Sequence, residues 1–281
     1  MTAGEVQPAL SPDFLGECAL CRRRRRLMES HIMPKALYRL VRNPRSKNPH
    51  PVVAIPSRRG KSSFQVTSRL LCEECEGRFD HNGEAWVMRH CYRGRGVFRL
   101  REILRQSTPI AEDPEVLVYS ASAFPAIDIG QLVYFCTSVF WRASVRESSI
   151  FGERFDPINL GNKYREELRR YLLGEDTFPD TATVSIFVSQ LNRPLLTFSF
   201  PQSIRFKSRH THRMHIPGIT FVLTLGKELY STWLKNCVFR SPLRPIYVSK
   251  LFDQTVQKDL GLAMGKSLSA LSRYPLIDGD Y

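Results

Sequence analysis

Cys18–Lys35 reads CALCRRRRRLMESHIMPK: a Cys-x-x-Cys pair, five consecutive arginines, then a histidine three residues before a proline. Fifty residues separate this pair from a second one, Cys72-Glu-Glu-Cys75. Two thiolates on each of two distant segments is how a tetrahedral four-cysteine zinc site is assembled, so Cys18, Cys21, Cys72 and Cys75 are expected to hold a structural zinc. The alternative, a redox dithiol, normally opens a helix in a βαβ setting, which the flanking sequence lacks. Zinc held by four thiolates has no open coordination position; it would hold the fold, and any chemistry must come from residues it positions. Cys91, Cys136 and Cys237 read as plain buried cysteines.

The 281-residue chain carries a formal net charge of +14, with 42% hydrophobic and 11% aromatic residues, enough to bury a sizeable core. From Glu17 to Lys61 there are 13 Lys and Arg against two acids, Glu17 and Glu29, so +11 of the +14 falls on the cysteine segment. Such a surface gains free energy by displacing counterions from polyphosphate, and nucleic acid is the leading partner. An acidic protein or an anionic membrane would be attracted by the same charge. The N-terminus lacks a basic and apolar leader, and the longest apolar run, Ile129–Trp141, is too short to span a bilayer, so a cytoplasmic, non-membrane protein is expected.

Along the chain, residues 1–13 read as a loose tail. A zinc module with a basic loop at 44–63 is expected over 14–95, and a larger α+β domain of unknown role over 96–281. Ala36, Leu37, Leu40 and Val41 stand at helical spacing behind Pro34, and FQVTSRLL (64–71) reads as a strand delivering the second cysteine pair. Helices are expected over 97–106, 126–145, 164–173 and roughly Leu251–Leu271. Strands are expected over 181–189, 194–201 and 218–225.

The order Cys-x-x-Cys, His-Ile-x-Pro (His31–Pro34), Leu-Cys-x-x-Cys resembles the zinc-stabilised members of the His-Asn-His (HNH) nuclease family, of treble-clef or ββα-metal type, over about residues 14–90. The resemblance implies cleavage of nucleic-acid phosphodiesters with one divalent ion, Mg2+ or Mn2+, and His31 as general base; a histidine titrates near neutrality and suits proton abstraction. Ser30 stands where the family has a metal-binding His or Asp, Thr67 where it has Asn, and Glu76 where it has His. Glu76 can ligate a hard cation, and Glu76, Asp80 and Glu84, spaced i, i+4, i+8, would line one helix face beside His81. The other reading of that stripe is an acidic face pairing with the arginines. Arg22, Arg23, Arg24, Arg25, Arg26, Lys35, Arg58, Arg59 and Lys61 are the candidate nucleic-acid contacts, with DNA ahead of RNA.

The expectation is therefore a metal-dependent HNH-like endonuclease, by analogy a regulated microbial defence or mobile-element effector, whose C-terminal domain meets a regulatory protein partner. The alternative is a non-catalytic, zinc-stabilised nucleic-acid-binding protein with a degenerate HNH site. A protein-interaction adaptor whose arginines face an acidic partner is a third reading. His210, His212 and His215 in RHTHRMH could bind a transition metal or face phosphate; no acid or cysteine is adjacent to them in sequence.

Overall fold

The computed structural model describes residues 14–263 except 44, 56–57, 146–147, 151–152, 156–157, 207–208, 228 and 230–233. The expected tail, 1–13, and the end of the helix expected over Leu251–Leu271 lie outside the described residues.

The first layer is a three-stranded antiparallel sheet of β1 (Leu15–Glu17), β2 (Arg24–His31) and β5 (Thr67–Cys72), in the order β1-β2-β5. Between β2 and β5 lie α1 (Lys35–Leu40) and a hairpin of β3 (Val52–Ile55) and β4 (Arg58–Lys61). That hairpin falls inside the segment expected to be loop. Its prolines, at 51 and 56, lie just outside β3, and the β-branched Val52, Val53 and Ile55 are free to pair. After β5 the chain turns directly into α2 (Glu73–Phe79), a π turn (Asp80–Glu84) and α3 (Ala85–His90), one continuous helical rod.

The second layer is a seven-stranded sheet, ordered β11-β12-β13-β10-β14-β7-β6. Its strands are β6 (Ala111–Glu112), β7 (Val116–Ser120), β10 (Ala182–Ser189), β11 (Gln202–Phe206), β12 (Arg209–Ile216), β13 (Ile219–Leu225) and β14 (Pro245–Ser249). Among the described residues, only the β10–β14 pairing is parallel. A short hairpin, β8 (Ser148–Ile150) and β9 (Glu153–Phe155), stands apart. The expected strand at 194–201 is not one: Ser199 exchanges hydrogen bonds with His215, but prolines at 194 and 201 bound the segment and no ladder extends from it. Among the described residues, the longer helices that remain are α4 (Arg99–Leu104), α5 (Ile129–Val145), α6 (Asn162–Leu173) and α7 (Phe252–Ala263).

α5 is the axis of the molecule. Asp128 caps it by accepting the Gln131 N–H at 2.9 Å. Fourteen of its residues are buried, and the hydroxyls of Thr137, Ser138 and Ser144 are satisfied by donating back to carbonyls of the preceding turn. One side packs on the large sheet, with the Phe135 and Phe221 rings 5.4 Å apart. The other side meets the rod at Gly83, where a Cβ would lie 2.8 Å from the Phe135 backbone nitrogen. The small sheet, rod, α5 and large sheet thus share one continuous apolar core. No helix among the described residues is long and apolar enough to cross a membrane.

Candidate metal centre and the His31 cluster

β1 ends at Glu17, and Cys18–Arg23 turn the chain back into β2. Arg22 N–H donates to the Cys18 carbonyl at 2.7 Å, Cys18 N–H donates to the Arg23 carbonyl at 3.0 Å, and Arg22 adopts the left-handed conformation with φ 58°. Ala19 N–H donates to the Leu70 carbonyl at 3.0 Å, pinning this knuckle to β5. Cys72 closes β5 and caps α2, so Cys75 follows in the first helical turn. The four Sγ atoms lie within 4.8 Å of one another, and Cys21 and Cys72 are 3.9 Å apart. A tetrahedron with metal–sulfur bonds of about 2.3 Å places its sulfurs roughly 3.8 Å apart, so the cluster has the dimensions of a single metal site. None of the four is in a disulfide, and Cys18, Cys72 and Cys75 are buried.

Electrostatics point the same way. The Cys75 thiol donates to Cys18, and with the N–H groups of Cys21, Cys72 and Leu20 it holds the Cys18 thiol down to about 4 despite burial. Cys75 is pushed up, first by that hydrogen bond and then by burial, and Cys72 is pushed up chiefly by burial. A divalent cation that binds here displaces the thiol protons. Among the described residues, these cysteines are the one group of three or more His, Cys, Asp or Glu placed to share an ion, such as zinc.

The knuckle is also held from the C-terminal body. From α6, the buried Arg169 donates through Nη1 to the Leu20 carbonyl at 2.7 Å and grips the Glu166 carboxylate through Nε and Nη2. Glu166 in turn pairs with Arg22.

His31 is the last residue of β2. Its Nε2 hydrogen-bonds Gln65 Oε1 at 2.7 Å, and its ring tilts against Tyr38 with centroids 5.9 Å apart. The cluster behind it is built around an arginine that the sequence marked only as the boundary of an apolar run. Arg142 of α5, 2% exposed, donates through Nη1 to the His31 carbonyl at 2.9 Å and through Nη2 to Glu84 Oε1 at 2.5 Å, over the Phe79 ring. Ser30 is buried and accepts the Leu71 N–H. Glu76 is hydrogen-bonded by Ser30; burial raises its pKa, opposed first by Arg142, and its Oε1 has no hydrogen-bond partner.

The stripe expected over residues 76, 80, 81 and 84 is divided. Glu76 and Glu84 face Arg142, whereas Asp80 and His81 are exposed. The π turn brings the two glutamates together: one α turn plus one π turn takes about eight residues, so positions 76 and 84 stack. The signal that could have found Arg142 is its isolation, a single charge among the apolar residues of IGQLVYFCTSVFWRASV (129–145).

Of the expected nucleic-acid contacts, Arg22, Arg23, Arg24, Arg26 and Lys35 are exposed. Arg25 is half-buried and pairs with Glu74 at 2.8 Å, and Lys61 Nζ donates to the Asn48 carbonyl. The backbones of Arg58 and Arg59 form β4; their side chains lie outside the described residues. In RHTHRMH, His210 is exposed and His212 buried. His215 donates to Asp259 at 2.6 Å and accepts from Thr220 at 2.7 Å, fastening α7 to the sheet. Comparison of the chain with family models, with curated proteins and with solved structures yields no match.

Proposed function

We propose that this chain is a nucleic-acid-binding protein built on a zinc-stabilised, treble-clef module of HNH type whose nuclease centre is degenerate. Four soft thiolates closing on one point suit zinc, and the run of arginines that leads into β2 leaves that site directly. The observation that carries the reading is Arg142. A fixed guanidinium stands beside His31, Glu76 and Glu84, engages Glu84, and repels a divalent ion from the remaining carboxylate. Ser30 is committed to the Leu71 N–H, so Glu76 is left as one oxygen ligand where a hard cation needs several. Binding then rests on arginine contacts to phosphate, with DNA ahead of RNA, and a protein partner for the C-terminal body fits the same scheme.

The second reading, a metal-dependent HNH-like endonuclease with Mg2+ or Mn2+, is favoured by one feature: the His31 ring stands beside Glu76, whose Oε1 is buried without a partner. One experiment separates the two. Plasmid DNA and structured RNA are incubated with the native chain and with His31→Ala, with added Mg2+ or Mn2+ or with EDTA, and binding is followed against salt. Steeply salt-dependent binding without cleavage is expected. Divalent-dependent cleavage lost in His31→Ala makes the protein a nuclease, and absence of binding removes both readings.

A further inference from the structure

A second basic element stands at the far end of the rod from the cysteine centre. Between Arg89 and Arg105 the chain has six arginines and one acid, Glu102, whose carboxylate is occupied by the Phe98 N–H at the start of α4. Residues 92–98 form a tight turn closed by a Tyr92–Phe98 bridge and by Arg93 N–H to the Val97 carbonyl at 2.9 Å. Its base is fixed: Tyr92 and Phe98 are buried, Tyr92 N–H donates to the Pro217 carbonyl, and the Phe98 ring lies so close to Gly218 that a Cβ there would sit 2.6 Å away. Its tip is exposed at Arg93, Arg95 and Val97, with Arg89 and Arg99 exposed at its flanks, both acting on His90. Among the described residues, none of Arg89, Arg93, Arg95 and Arg99 is in a salt bridge.

Arg95 is the informative residue. Gly94, Arg95 and Gly96 have φ of 84°, 51° and 77°, three left-handed residues in succession. Glycine adopts that conformation without cost, whereas an arginine is strained in it. Of the other two left-handed arginines, Arg22 pairs with Glu166 and Arg244 is held through its backbone by Ser241 and Ala121, but Arg95 has neither use among the described residues. A strained cation held at the tip of an anchored turn, between Gly neighbours, is explained by something outside the chain that takes up its charge.

We propose that the 92–98 turn, with Arg93, Arg95 and flanking Arg89 and Arg99, is a second contact to the phosphate backbone of nucleic acid, independent of the arginines of β2. This rests on the nucleic-acid reading above. The rod of 18 residues, 73–90, sets this turn about 27 Å from the cysteine centre, so the two contacts engage different phosphates.

The test uses the full chain and a fluorescent DNA duplex, titrated over a range of salt, with Arg95→Gly, an Arg93→Gln/Arg95→Gln/Arg99→Gln variant, and one with Arg22–Arg26 replaced by Gln. Expected for the triple variant are about tenfold weaker binding at low salt and a log–log salt slope shallower by about 2–3, since each duplex phosphate contact contributes about 0.9. Arg95→Gly is expected to bind more weakly while its thermal midpoint rises by about 1–3 °C, a combination that a merely solvated turn residue does not give. If wild type binds and only the Arg22–Arg26 variant weakens it, the turn is not a contact and the proposal falls alone. If wild type does not bind the duplex, the nucleic-acid reading falls with it. Unchanged duplex binding with lost adsorption to phosphatidylserine vesicles overturns the assignment in favour of a membrane surface.

Discussion

Arg142 Nη2 and Glu84 Oε1 meet at 2.5 Å, joining the central helix of the body to the π turn of the cysteine module. Both side chains are largely withdrawn from water, at 2% and 15% exposure. Removing one partner of such a pair strands the other in a low-dielectric site. Arg142→Ala is expected to destabilise the protein by about 3–5 kcal/mol in urea unfolding, and Glu84→Gln by less, because the amide still accepts from Nη2. A loss below about 1 kcal/mol for Arg142→Ala shows the pair to be screened by solvent.

Metal analysis of protein purified without added metal is expected to give about one zinc per chain. Cys72→Ser is expected to lose it and to cost roughly 3 kcal/mol or more, whereas Cys91→Ala retains it, because Cys91 lies outside the cluster. Equal metal content in the two variants contradicts the assignment of ligands.

Arg169 reaches the cysteine knuckle from outside the module, through the Leu20 carbonyl between Cys18 and Cys21. Groups of this kind orient ligands, and their loss typically costs 10–100-fold in metal affinity. Arg169→Met is expected to release zinc to a chromogenic chelator about 10-fold faster or more, with partial rescue by Arg169→Lys. Release at the wild-type rate means that the contact serves only the packing of α6.

Gly83 is where the rod and α5 touch backbone to backbone. The Cβ of Gly83→Ala would meet Phe135 backbone atoms at 2.8 and 3.0 Å, so the two helices must part. The expected cost is about 1–3 kcal/mol in thermal or urea unfolding. At Gly77, with nothing within 4 Å of the built Cβ, alanine is expected to be neutral or stabilising.

His212 titrates down to about 4, first because burial penalises its charged form and then because His210 lies nearby. A depressed histidine pKa means the unfolded chain binds the proton more readily. Stability from this group is whole above about pH 6.5, falls as the pH drops towards 4 and is level below that; the full loss is roughly 2–4 kcal/mol. Unfolding free energies measured across this window should fall less steeply for His212→Leu than for wild type. Parallel slopes show that His212 does not contribute.

The cysteine pairs were legible because two Cys-x-x-Cys pairs together supply the four donors of a tetrahedral site, whereas a redox dithiol needs only one pair and a βαβ setting. Of the strand expected at FQVTSRLL, residues 64–66 lie outside and β5 is Thr67–Cys72; the buried helix around Phe135 and the strands at 182–189 and 219–225 were plain from their apolar runs. β7, β14 and the β3–β4 hairpin were not, being short or set among prolines, with pairing partners far off in the chain. Tyr247, for instance, gains its strand character from Phe187 and Val118 on either side. The acidic stripe was legible as composition but not as geometry, because a π turn has no sequence signature and it is what stacks Glu84 over Glu76.

The sequence by itself determined the donors and the charge: four cysteines in two pairs, a histidine at the end of the strand that follows the first pair, and a concentration of arginine beside them. These are chemical identities and local spacings, which survive in the unfolded chain. The tertiary structure decided what surrounds His31. Arg142 is 111 residues away from it and Arg169 is 149 away from Leu20, so neither neighbourhood exists until α5 and α6 pack against the module. Burial then gives those two guanidinium groups their effect, since a charge acts strongly only where water cannot screen it.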